Sequence, residues 1–100
     1  MDFRLVFTDK ALTEIEGIIS HIAIDDADAA IRFGSAILDH MDLLKRFPQI
    51  GASIKKRAAV RMMIHSPILV YYRVHEKQQI IEILHFRHGA RKPPKSADFK

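Results

Sequence analysis

Arg61 and Arg73 are the residues of this chain best equipped to hold a phosphate. Each falls in a segment of alternating apolar and polar residues, and a planar guanidinium can engage two phosphate oxygens at once. On neighbouring antiparallel strands and aimed at one face, the pair would converge on a single anion. Either arginine alone reads more readily as a solvated or ion-paired strand residue. Histidines accompany them: His65 and His75 on the same two segments, His85 and His88 three residues apart on the next. Imidazole both takes and gives a proton near neutral pH, as general acid–base catalysis requires; it is also an ordinary hydrogen-bonding residue. Tyr71 could stack on a base or donate a hydrogen bond, or simply pack. Lys55-Lys56-Arg57 could follow a nucleic-acid backbone or merely keep a loop soluble.

The same inventory excludes several chemistries. There is no cysteine, hence no thiol nucleophile, disulfide scaffold or Cys-ligated metal. No carboxylate completes a ligand set with the histidines and no HExxH spacing occurs, so no metal is expected. Without a phosphate-cradling glycine loop or a GxSxG turn, a nucleotide-dependent enzyme or serine hydrolase is not indicated, and no cofactor is expected.

Charge is unevenly distributed. Residues 1–54 carry five basic and nine acidic side chains, a net of −4; residues 55–100 carry eleven basic and three acidic, a net of +8. A chain so polarised has a directional field, and its basic half should attract nucleic acid or an acidic protein segment. At 100 residues and 48% apolar composition, one packed domain is expected. No apolar run approaches a membrane span, and Met1-Asp2-Phe3-Arg4 is not the start of a signal peptide. The expectation is a soluble cytoplasmic protein.

Elements that would position these side chains follow from periodicity. Phe3, Leu5 and Phe7 alternate as in a short strand. Thr8 offers a helix cap, and Leu12, Ile15, Ile19 and Ile22 with Ile18 predict a helix over about 9–24. A polar break of about four residues, Asp25-Asp26-Ala27-Asp28, precedes a second helix over about 27–46, with Ala30, Ile37, Met41 and Leu44 on one face. Pro48 ends it. From about residue 58 the period becomes 2. Val60, Met62 and Ile64 alternate with Arg61, Met63 and His65; Val70, Tyr72 and Val74 alternate with Tyr71, Arg73 and His75; an isoleucine-rich strand covers 79–87. Gly51 and Gly89 read as turn residues at positive φ. Residues 92–100 read as a loose tail.

The fold class is therefore α+β, two layers, a helical hairpin on an antiparallel sheet in the order β-α-α-β-β-β. Alternation would put Arg61, Met63, His65, Tyr71, Arg73 and His75 together on the uncovered face. Lys55, Lys56, Arg57, Arg87, His88 and Arg91 would lie nearby.

Four segments resemble the RelE/ParE superfamily of toxins from type II toxin–antitoxin modules. They are Phe47-Pro48-Gln49-Ile50-Gly51, Val60-Arg61-Met62, Leu69-Val70-Tyr71-Tyr72-Arg73-Val74, and the strand from Ile81 ending in His88-Gly89-Ala90-Arg91. With the order of elements, the likeness extends over residues 3–91. It implies a small basic toxin neutralised by an acidic antitoxin encoded beside it, with homodimerisation also open. RelE-like members cut mRNA on the ribosome; ParE-like members poison DNA gyrase. In a ribonuclease, Arg61 and Arg73 would serve the phosphate, and His88 would act as base or acid with Arg91 assisting. Lys55, Lys56, Arg57, Tyr71 and Arg87 would contact the target. The His-Gly-x-Arg strand end and a tail whose only aromatic residue is Phe99 resemble the ParE-like, plasmid-stabilisation branch more closely. The alternatives are a RelE-like endoribonuclease and an inactive interaction module.

Overall fold

The computed structural model describes residues 2–54, 57 and 59–89. The elements are β1 (Arg4–Phe7), α1 (Asp9–Asp25), α2 (Ala27–Arg46), β2 (Ala52–Ser53), β3 (Val60–His65), β4 (Ile68–His75) and β5 (Ile80–His88). Helix α1 starts where Thr8 Oγ1 accepts from the Ala11 amide at 3.0 Å. One residue, Asp26, separates the helices, where the sequence suggested about four. Its extended backbone amide bonds Ile22 O and its carboxylate accepts from Ala29 N. A single aspartate thus closes one helix and caps the next, leaving Ala27 and Asp28 free to form a first turn.

Among the described residues the sheet has five strands, in the order β1-β5-β4-β3-β2. The two-layer α+β arrangement matches the sequence reading, but the sheet is mixed. The strands from β2 to β5 pair antiparallel, whereas β1 lies parallel to β5, Arg4 opposite Ile80 and Phe7 opposite Ile83. β2 arises inside the stretch read as a loop. The main core lies between the layers: Ile37, Met41 and Leu44 of α2 meet Met63, Val70, Tyr72, Ile81, Ile83 and Phe86 of the sheet. Ala30, Ile37, Met41 and Leu44 are buried as expected; Leu12 is instead exposed and Ala11 takes the inward position on α1.

Register decides which side chains share a face, because a one-residue change of phase reverses a whole strand. Arg61 lies opposite Tyr72 and Met63 opposite Val70, so Arg61, Met63 and His65 turn toward the helices. Ile64 is exposed and Val60 packs on the outer face. This is the reverse of the phase expected for β3. Both phases of Val60–His65 contain apolar residues, so alternation alone could not choose between them. A register shift between Tyr71 and Tyr72 leaves Leu84 as an extra residue in β5. Leu84 then joins Val60 and Tyr71 in a second buried cluster on the outer face, flanked by Ile54, Met62 and Leu69.

Positive φ falls on Ala59 (61°) and Gln79 (57°), and on no glycine among the described residues. Gly51 is required for another reason: a Cβ there would lie 2.7 Å from both Met62 O and Tyr72 Oη.

Candidate functional site

Arg61 and Arg73 do not converge. In a paired strand, residues opposite one another share a face; Arg61 faces Tyr72 and Arg73 faces Val60, so the two guanidinium groups leave opposite sides of the sheet. Arg61 serves the loop after α2. Its Nη1 donates to Gly51 O at 2.7 Å and to Gln49 O at 3.3 Å. The Tyr72 hydroxyl completes the grip, donating to Pro48 O at 2.8 Å and accepting from Gly51 N at 2.9 Å. Burial raises the Tyr72 pKa, opposed by the Gly51 N–H bond and by Arg61. The Pro48–Gly51 motif and the Arg61 motif are thus two halves of one structural clasp.

The histidines divide likewise. His65 turns inward to His40 of α2, while His75 pairs with Glu82 at 2.9 Å. Tyr71 is buried, with its pKa raised by burial and opposed by Arg87, so its ring is not presented for base stacking. Arg57 lies in the loop before β3, its carbonyl accepting from Val60 N. Lys55, Lys56 and Arg91 lie outside the described residues.

Glu14 is the residue that the sequence reading missed. β1 covers β5 only as far as Ile83; beyond it, the strand edge needs other acceptors and donors. Thr8 Oγ1 donates to Leu84 O at 3.3 Å. Glu14 Oε1 accepts from Phe86 N at 3.1 Å and sits 3.2 Å from His85 Nδ1, while Oε2 lies 3.4 Å from Arg87 Nε. His85 is 1% exposed, which gives it a structural place rather than a catalytic one. A signal was present: Glu14 follows Ala11 by three residues and precedes Ile18 by four, an acid in an inward row that must meet partners.

These residues border a groove of about 760 Å³ between α1 and the ends of β4 and β5. Ile18, Ile22, Phe33 and Phe86 form its apolar wall, and Glu14, His21, Arg87 and His88 are its polar lining. Of the expected site residues, the groove therefore brings together Arg87 and His88. His88 is exposed at the end of β5. Gly17 leaves the helical wall open, with nothing within 4 Å of a Cβ placed there. Among the described residues no group of three or more His, Cys, Asp or Glu is placed to hold a metal ion, and no helix is long and apolar enough to cross a membrane.

Comparison with known proteins agrees with this fold. Among solved structures, the chain is similar to one from the chromosomal ParDE toxin–antitoxin system of P. aeruginosa: TM-score 0.69, 21% identity, covering 86% of this chain and 95% of that one. A chain of the toxin–antitoxin complex RelBE2 from Mycobacterium tuberculosis gives a TM-score of 0.64 at 16% identity, covering 88% and 99%. An arginine-to-alanine double mutant of the E. coli toxin RelE in the free state gives 0.62 at 13% identity, covering 99% and 92%. At such identities these likenesses speak for the fold. Comparison with curated proteins finds no match. The family model described as the ParE toxin of type II toxin–antitoxin system, parDE, matches residues 5–93. With that match running from within β1 through both helices to β5, the chain belongs to the ParE toxin family of type II toxin–antitoxin systems.

Proposed function

We propose that this ParE-family toxin arrests growth in the cytoplasm by binding an essential protein target, DNA gyrase, and that an acidic cognate antitoxin neutralises it. The observation that carries the choice of target is the opposed direction of Arg61 and Arg73. A ribonuclease needs cationic donors gathered on one phosphate together with an acid and a base. Here Arg61 is committed to loop carbonyls and His65 and His75 leave opposite faces. The net +8 of residues 55–100 supports an acidic partner. So does the groove, whose apolar wall with Arg87 and His88 beside it suits an amphipathic segment bearing a carboxylate. The P. aeruginosa and M. tuberculosis chains come from toxin–antitoxin assemblies, in keeping with such a partner here.

Expression without antitoxin should halt growth with DNA damage and filamentation, and purified protein should inhibit gyrase supercoiling. Undisturbed supercoiling together with rapid loss of translation would reject this reading. It would favour the second one, a ribosome-dependent mRNA endoribonuclease, whose supporting observation is exposed His88 beside Arg87 and His21 on the groove. Toe-printing on stalled ribosomes would then reveal cleavage that His88→Ala abolishes.

A further inference from the structure

His40 and His65 come from different layers and meet Nδ1 to Nδ1 at 2.8 Å, their ring centroids 5.1 Å apart. His40 projects from α2, and His65 is the last residue of β3. Phe33 packs edge-on against the His65 ring, centroids 5.8 Å apart. A hydrogen bond between two Nδ1 atoms takes one donor and one acceptor, so the accepting ring is neutral with its proton on Nε2. The clasp, the Glu14 cluster and the groove make no use of this pair.

We infer that His40 and His65 form a two-ligand site for a divalent transition-metal cation of the Ni²⁺ or Cu²⁺ type, tying α2 to the end of β3. With metal–imidazole bonds of about 2.0–2.1 Å, nitrogens 2.8 Å apart subtend about 85° at the ion. That is close to the angle of about 90° between neighbouring ligands in tetragonal or octahedral sites, and imidazole is a good ligand for both ions. A tetrahedral zinc site would need the nitrogens about 3.3 Å apart. Oxygen-seeking Mg²⁺ and Ca²⁺ gain nothing from two imidazoles. On binding, the donor ring moves its proton from Nδ1 to Nε2, and both rings turn about Cβ–Cγ until the two lone pairs meet at the ion. Water fills the remaining positions.

The test uses the full, untagged chain at about pH 7.5, titrated with Ni²⁺, Cu²⁺ or Mg²⁺ and followed by calorimetry and thermal melting. Ni²⁺ should bind with one equivalent and raise the melting temperature. His40→Gln and His65→Gln should each weaken binding at least about tenfold, while His21→Gln leaves it unchanged and Mg²⁺ has no effect. On the wild-type protein, paramagnetic Ni²⁺ at sub-stoichiometric amounts should broaden the imidazole resonances of His40 and His65 together while those of His21 persist. This reading remains available if a variant fails to fold. Equal Ni²⁺ affinity in wild type and either variant, or His40 and His65 resonances that Ni²⁺ leaves sharp, would overturn the inference.

Discussion

Replacing Tyr72 by Phe removes one oxygen atom and both hydrogen bonds by which β4 holds the loop after α2. The hydroxyl donates to Pro48 O at 2.8 Å and accepts from Gly51 N at 2.9 Å, and the side chain is fully buried. A net loss of about 0.5–1.5 kcal/mol per bond, with a buried Gly51 N–H left without its acceptor, gives about 2 kcal/mol overall. For a domain of this size 1 kcal/mol moves the melting temperature by about 4–8 °C, so a fall of about 8–16 °C is expected. Thermal melts and urea titrations by circular dichroism would measure it, with an unchanged urea slope indicating that the compactness of the two states is preserved. Arg61→Ala acts on the same loop through Gly51 O. Its charge-assisted bonds lead to an expected loss of about 1.5–3 kcal/mol, and the double variant should lose less than the sum of the two. Growth arrest should fall with the folded fraction in each. A melting shift under about 2 °C for Tyr72→Phe would refute the clasp. Abolished arrest by Arg61→Ala with unaltered melting would return Arg61 to chemistry.

Glu14→Ala strands the Phe86 amide and parts Arg87 and His85 from their carboxylate; a loss of about 2–4 kcal/mol is expected in urea titration, and roughly half that for Glu14→Gln, which keeps an acceptor. Gly17→Ala meets no atom within 4 Å and should stabilise the helix by about 0.5–1 kcal/mol, seen as a higher urea midpoint. The pH dependence follows from His65, whose lowered pKa means that the unfolded chain takes up the proton first. Its stabilising effect is complete above the ordinary value of 6.5 and is lost as pH falls below that toward the lowered value. The urea midpoint of the wild type should therefore drop further between about pH 7.5 and about pH 5.5 than that of His65→Gln.

Both helices were legible because their signals are local. Thr8 and Asp26 cap them, and Ala30, Ile37, Met41 and Leu44 repeat at helical spacing. The phase of β3 was not, because Met62 and Met63 offer an apolar residue to either face. What fixes it is the shared grip of Arg61 and Tyr72 on a loop ten or more residues away, a relation that periodicity does not encode. Parallel pairing of β1 was hidden for the same reason, since its partner strand is the last element described. Arg87 and His88 were singled out from sequence and do meet at the groove. Glu14 was overlooked because an acid on a helix reads as solvated until the edge of β5 is seen to lack a neighbour beyond Ile83.

Pairing between β1 and β5 also constrains when this fold can be completed. Thr8 reaches Leu84 across 76 positions, and Glu14 reaches Phe86 across 72. Contacts this remote in sequence are made late and slowly. During translation, β1 has no strand to join until Ile80–Ile83 have been synthesised, and the groove lacks its Phe86–His88 side until a few residues later. The parallel pairing and the groove are therefore completed late relative to the helical hairpin, only once the whole of β5 has joined the chain.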